Sequence, residues 1–214
     1  MKIGVLALQG AFFEHRAALG RLGVESFEIR SLTDWQPKMD GLIIPGGEST
    51  VIGKLLTELR LLEPMRHSIR SGLAVFGTCA GLILLSKRIE DYGCGPLGVL
   101  GAVTRRNAYG RQLGSFRHTG DFMGVGTVEM VFIRAPYVVE VEEGVDVLAE
   151  VDGKITAIRE GNVLATAFHP ELTADLRIHS YFLSIAQQRQ AVLRSSAPGE
   201  MQKAAYLAQF KECL

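Results

Sequence analysis

The sequence predicts an α/β fold: a single three-layer domain with a mostly parallel central sheet, helices on both faces and an antiparallel meander in the second half. Three observations carry this. Short, continuous apolar runs, the pattern of strands buried on both faces, recur between Ile3 and Phe76. Segments of helical length separate them, as right-handed crossovers between parallel strands require. From Val99 to Phe168 the runs become short, rich in Val, Ile, Thr and Phe, and punctuated by Gly, Asp and Asn.

Taken in order, Ile3–Leu8 is a first buried strand, and Ala11–Leu22 reads as a helix with Gly23 just past its end. Val24–Ile29 suits a second strand. Gly41–Pro45 suits a third, broken by Pro45-Gly46-Gly47. Ser49 is placed to cap the next helix, and Glu63-Pro64 opens another that runs to about Ser71. Leu73–Phe76 is a fourth strand ending at Gly77, and Ala80–Lys87 is helical. Val145–Val151, Lys154–Arg159 and Val163–Phe168 form a meander with turns at Asp152-Gly153 and Gly161-Asn162. A helix from Thr173 to about Gln190 closes a domain placed at residues 1–190. Residues 191–214 read as a linker, around Ser195-Ser196-Ala197-Pro198-Gly199, and a short helical extension over Met201–Phe210.

Composition narrows the function. Lys plus Arg number 23 and Asp plus Glu number 23, so the basic surplus of a nucleic-acid binder is absent. At 47% hydrophobic residues the chain can bury a substantial core, yet no stretch approaches the apolar length needed to span a membrane. Lys2 and the apolar run after it imitate a signal peptide, but Gln9 and Gly10 interrupt the run and Glu14-His15-Arg16 follows. Cys79, Cys94 and Cys213 are irregularly spaced and odd in number, which fits reduced thiols in the cytoplasm. With no CxxC-type spacing and scattered histidines, neither a metal nor another cofactor is expected.

Gly77-Thr78-Cys79-Ala80-Gly81 lies between a strand and a helix, the context of a nucleophile elbow, here with cysteine. Two glycines permit a tight turn, and the N-terminal end of the following helix favours a thiolate. His169-Pro170-Glu171 ends a strand. Proline biases His169 toward an extended conformation, in which positions i and i+2 face the same way. Glu171 then accepts from the imidazole N–H and leaves the other ring nitrogen to the thiol. Pro45-Gly46-Gly47-Glu48-Ser49 follows another parallel strand, where open α/β sheets bind ligands. Its glycines let backbone approach a substrate, and the N–H groups of Gly47 and Ala80 are candidates for an oxyanion hole. The bland readings are a buried structural cysteine, a structural histidine and a plain strand-to-helix turn.

As a set these segments resemble class I (triad) glutamine amidotransferases, and most closely the family of glutaminase subunits of pyridoxal 5′-phosphate synthase. The matching stretches are Ile3 to Gly10, Gly46-Gly47-Glu48-Ser49-Thr50, Phe76 to Leu82, Arg106 to Gln112, Phe132 to Pro136 and Phe168 to Thr173, within about residues 2–188. The resemblance implies Cys79, His169 and Glu171 as a catalytic triad. It implies L-glutamine held by Gly46, Gly47 and Glu48, by Arg106, and by Ile133 and Arg134. A free amino acid needs cations or N–H groups for its carboxylate and an acceptor for its ammonium; Arg106 and Arg134 are candidates for the first need or for shaping the pocket, and Glu48 for the second. It implies a partner, a (β/α)8-barrel synthase subunit in a multi-subunit complex. That partner receives the ammonia, and Gln9, Gly10 and the Arg106–Arg111 loop are candidate contacts.

The stretch between Phe116 and Gly126 departs from the family pattern and reads as a glycine-rich loop, and residues beyond Arg189 exceed what the family needs. His15, His67, His118 and His179 lack a motif and read as surface or capping groups; Cys94 reads as a loop thiol and Cys213 as inert. Competing readings are a triad glutaminase serving histidine or nucleotide synthesis, a cysteine peptidase or DJ-1-like protein, which shares the elbow but lacks the late His-Pro-Glu, and a catalytically silent binding subunit.

Overall fold

A computed structural model describes residues 1–106 and 114–196 of the chain. The elements run β1 (Lys2–Leu6), α1 (Phe12–Arg21), β2 (Glu25–Ile29), β3 (Gly41–Ile44), α2 (Ser49–Glu58), α3 (Leu62–Arg70), β4 (Ala74–Thr78) and α4 (Ala80–Leu85). The short strands β5 (Ser86–Ile89), β6 (Gly93–Cys94) and β7 (Leu100–Arg105) follow. Then come β8 (Ser115–Phe122), β9 (Gly126–Ile133), β10 (Tyr137–Val141), β11 (Asp146–Val151), β12 (Lys154–Glu160), β13 (Val163–Thr166) and α5 (Arg177–Ser196). Two 3-10 turns are interleaved, Leu32–Asp34 and Pro170–Leu172.

The principal sheet has the order β2-β1-β3-β4-β13-β12-β10-β7-β5-β6, with β11 also on β12. From β2 to β13 every pairing is parallel, and beyond β13 antiparallel pairings dominate. The meander is therefore not a separate layer. β13 pairs β12 on one side and β4 on the other, which fuses the antiparallel half onto the parallel one.

Helices cover both faces, as alternation along β4 makes plain. Phe76 meets His15 of α1 and His179 and Phe182 of α5. Its neighbour Gly77 points the other way, where a Cβ would meet Leu85 of α4 at 2.6 Å. Ile3, Val5, Leu42, Ile43, Val75 and Phe76 are fully buried, as strands sandwiched between helices must be.

Several expectations are corrected. Glu48, not Ser49, caps α2, its carboxylate accepting from the Thr50 N–H while Ser49 is buried as the first helical residue. α4 stops at Leu85 because Ser86 and Lys87 are drawn into β5, which pairs β7. The Phe116–Gly126 stretch is mostly strand: β8 and β9 form an antiparallel hairpin in register from Ser115↔Ile133 to Phe122↔Gly126. α5 begins at Arg177, whose backbone N–H donates to Asp175, and continues through Ser196, past the expected helix end near Gln190. Residues 107–113, which carry most of the Arg106–Gln112 motif, lie outside the described residues, as do Cys213 and the Met201–Phe210 extension.

His15 and His179 are the largest correction. Both are fully buried, not on the surface, and their rings meet beneath the C-terminal end of β4. A sequence pattern shows helical periodicity but not which polar position on the inner face finds a buried partner.

Candidate active site

Loops after β3, β4 and β13 converge at one edge of the sheet. The first loop brings Gly46 and Gly47, the second Cys79, and the third His169. Together with Gly10, Ala11, Glu48, Ser49, Ile83, Arg106, Ile133, Arg134 and Leu172 they line a hollow of about 380 Å³.

Cys79 sits in the turn from β4 into α4 with φ 48° and ψ −97°, a left-handed conformation that an L-residue adopts only under constraint. The constraint is close packing around it. A Cβ on Gly81 would lie 2.2 Å from the Ile44 carbonyl oxygen, and one on Gly77 would strike Leu85 and the Gly81 backbone. The glycines flanking the cysteine are thus required by close approach, whereas the positive φ belongs to Cys79 itself. The Cys79 N–H is fixed to the Thr166 carbonyl of β13. Ala80 opens α4 and is buried below the hollow; as the first helical residue its N–H has no acceptor within the helix.

His169 follows β13, its own N–H bonded to the Val131 carbonyl of β9. Its Nδ1 stands 2.7 Å from Glu171 Oε1. The contact forms differently from the extended-chain argument: Pro170–Leu172 is a 3-10 turn, and that turn curls Glu171 back under the ring. Burial works against a charged His169, but the neighbouring Cys79 and the hydrogen bond to Glu171 outweigh it and push the imidazole up to about 10. Glu171 has a fully buried side chain. Burial pushes its carboxyl up, while His15 and His169 pull it down further, leaving it below the usual carboxylate range.

Gly46 fills the narrow gap between these groups. A methyl there would lie 2.3 Å from His169 Cε1 and 3.3 Å from Cys79 Cβ. Its N–H donates to Thr78 Oγ1 at 3.0 Å, and its carbonyl accepts from the Ala11 N–H. Next to it, Gln9 Oε1 accepts from the Glu48 N–H at 2.6 Å, and a Cβ on Gly47 would collide with that same oxygen. Gln9 and Gly10, candidates from sequence for contacts with a partner, also brace the glycine loop.

At the outer end of the hollow, Glu48 Oε1 accepts from Thr50 Oγ1 and lies 3.1 Å from Arg106 Nη2. The Thr50 hydrogen bond, with Arg106 and Arg134 nearby, holds its carboxyl below the usual range. The Arg106 guanidinium also stacks 4.8 Å from the Tyr92 ring centroid. Ile133 ends β9, and its carbonyl oxygen is 3.9 Å from Cys79 Sγ. Arg134 turns the chain with φ 45°, its N–H bonded to the Gly114 carbonyl. Glu171 and Ala80 lie behind the wall of the hollow, and the other sequence-predicted site residues line it. Ile83, Ala11 and Leu172 line it too; no motif carries them, because apolar wall residues look like core residues in a sequence.

An open sheet with a cysteine elbow at the ends of its parallel strands, facing a His-Glu pair on the next strand, defines an α/β protein of the triad-amidotransferase class. The chain belongs to the SNO glutamine amidotransferase family, which it matches over residues 5–188. It is 53% identical over 192 residues to pyridoxal 5′-phosphate synthase subunit PdxT of Streptococcus pneumoniae (strain ATCC 700669 / Spain 23F-1), an alignment covering 88% of this chain and all of that one. The PdxT protein of strain TIGR4 matches equally. Among solved structures, a crystal structure of glutamine amidotransferase superposes with TM-score 0.83 at 49% identity, over 86% of this chain and 98% of the other. PurLQS from Thermotoga maritima, at 16% identity and TM-score 0.65 over 86% of this chain and 97% of its own, shares the fold alone.

Proposed function

We propose that this chain hydrolyses L-glutamine to L-glutamate and ammonia and delivers the ammonia to a synthase subunit for pyridoxal 5′-phosphate synthesis. The reading rests on family membership and on the PdxT relatives. One observation carries the chemistry: a strained cysteine and a carboxylate-oriented imidazole face the same hollow.

In this mechanism Cys79 sulfur attacks the side-chain amide carbon of glutamine. The N–H groups of Gly47 and Ala80 receive the oxygen as it becomes negative. A positively charged His169, supported by Glu171, favours the thiolate and then gives its proton to the departing nitrogen, which leaves as ammonia. A γ-glutamyl thioester remains on Cys79. His169 next removes a proton from water, the hydroxide adds to the thioester, and glutamate departs as the thiol re-forms. Arg106 and Arg134 place two cations for the substrate carboxylate, Glu48 offers an acceptor for its ammonium, and Gly46 and the Ile133 backbone define the passage between them.

The partner in this reading is a (β/α)8-barrel synthase subunit within a multi-subunit complex. The glutaminase domain is assigned to residues 1–190, with 191–214 as an extension. The test is ammonia release from glutamine by the full chain with and without purified synthase subunit. Release that depends on both Cys79 and the synthase is expected. Release that survives Cys79→Ala would contradict the nucleophile, and release indifferent to the synthase would contradict the partner. No helix among the described residues is long and apolar enough to cross a membrane.

A further inference from the structure

Behind Glu171 lies a second layer of polar groups that the mechanism above does not use. Glu171 Oε2 has no hydrogen-bond partner within ordinary distance, although its side chain is fully buried. A buried carboxylate oxygen left bare is costly and rare. His15 Nε2 lies 3.6 Å from it, on a ring with no exposed surface, and the Glu171 backbone N–H also supports the carboxylate. The same Nε2 is 3.1 Å from Thr78 Oγ1, the oxygen that receives the Gly46 N–H. On its far side, His15 Nδ1 is 3.0 Å from Nε2 of the equally buried His179. Edge-on contacts of both rings with Phe76 fix their orientation.

One proton arrangement suits this chain of contacts better than the other. If His179 donates through Nε2 to His15 Nδ1, His15 carries its hydrogen on Nε2 and directs it between Thr78 and Glu171. The bare atom then left over is His179 Nδ1, an acceptor, which is the other buried atom without a partner. The reverse arrangement lets Nε2 accept from the Thr78 hydroxyl, but it sets that lone pair 3.6 Å from an ionised carboxylate and strands a buried N–H on His179, the rarer kind of orphan. We propose that His15, with its tautomer set by His179, is a positioning residue that holds Glu171 ionised and turned toward His169. The inference rests on the triad reading and deepens it: the Cys79–His169–Glu171 line continues into the interior as Glu171–His15–His179.

The charged and titratable groups around His15 are Glu171 and His169 from the segment after β13, His179 from α5 and Glu14 from its own helix; Arg21 acts on His179. Burial pushes His15 below the ordinary histidine value, with Glu171 opposing, and pushes His179 down to about 3. Both rings are therefore neutral near pH 7, and His15 acts through an N–H dipole. A neutral donor supports Glu171 without competing for it as a second cation would.

The test reads Cys79 without requiring glutamine turnover. In the full chain, the rate of Cys79 alkylation by iodoacetamide is followed against pH through the mass of the Cys79 peptide, which separates it from Cys94 and Cys213. Loss of the His15 N–H lets burial raise the Glu171 carboxyl, weakens the positive charge on His169 and moves the rising limb of the profile to higher pH. His15→Leu is expected to move it by about one unit, roughly tenfold in rate at fixed pH on the limb. His15→Gln, which keeps an N–H near the Nε2 position, is expected to leave the limb close to the wild-type position. A limb unmoved by His15→Leu, or moved equally by His15→Gln, overturns the proposal. If His15→Leu does not fold, His179→Phe carries the test, with a smaller upward shift expected and an unmoved limb contrary. Failure of the glutaminase reading shows separately, as ammonia release that is absent from the wild-type chain with its synthase or retained by Cys79→Ala.

Discussion

The parallel and antiparallel halves of the sheet contribute different kinds of group to the hollow. Parallel strands β3, β4 and β13 deliver Gly46, Cys79 and His169 from their C-terminal ends, and Cys79 and His169 are less than a tenth exposed. The antiparallel arm delivers Arg106 after β7 and Ile133-Arg134 after β9; Ile133 is 39% exposed and Arg134 is exposed, whereas the Arg106 side chain, 15% exposed, reaches across to Glu48 on the β3 loop. The difference is one of tolerance. Groups that exchange protons need positions held to fractions of an ångström, and strands packed on both faces supply that. Groups that hold a flexible amino acid by charge can sit on exposed elements, because electrostatic attraction falls off gently with distance.

The largest effect belongs to the parallel half. Cys79→Ala is expected to reduce synthase-stimulated ammonia release by about a thousandfold or more, with the thermal melt nearly unchanged. Gly46→Ala follows. Its methyl would stand 2.3 Å from His169 Cε1, and displacing that ring by about an ångström is expected to reduce kcat about a hundredfold while the protein still folds. In the antiparallel half, Arg106→Ala should act mainly on KM, raising it about tenfold with kcat within a fewfold, as removal of uniform binding does. A large fall in kcat for Arg106→Ala with unchanged KM would erase the division between the halves.

The smallest effect is in the pH dependence of stability. His15 and His179, held low by burial, contribute stability that is intact above the ordinary value of 6.5 and is lost as the pH falls, for His179 toward about 3. Glu171, also held low, adds to that loss below its ordinary 4.5. His169, pushed up to about 10, contributes stability that is intact below 6.5 and is lost as the pH rises toward that value. The melting temperature is expected to peak near pH 6.5 and to fall by a few degrees on either side, with His179→Phe flattening only the acid side. A melting temperature flat from about pH 5 to 9 would contradict the assigned charge states.

The same division governs what the residues disclosed beforehand. Continuous apolar runs identified β1, β3 and β4 because burial on both faces leaves few alternatives. The elbow and the His-Pro-Glu segment were legible because each confines its chemistry to a few adjacent residues. The reasons behind them were less so: the strained φ lies on Cys79 and not on its glycines, and Glu171 reaches His169 through a 3-10 turn. Short strands such as β5 and β10 were not legible, since their existence depends on partners far along the chain. His15 and His179 were misplaced for the same reason. Their burial is explained by Thr78, Phe76 and Glu171, all of them far from His15 in the sequence, and the first two far from His179 as well.

The direct test of the central claim is to quench the full chain with its synthase subunit during turnover of glutamine and weigh the Cys79 peptide. The account predicts a γ-glutamyl group on Cys79, formed before glutamate appears and missing from Cys79→Ala. Sustained ammonia release with the acyl group on another residue, or on none, would contradict it.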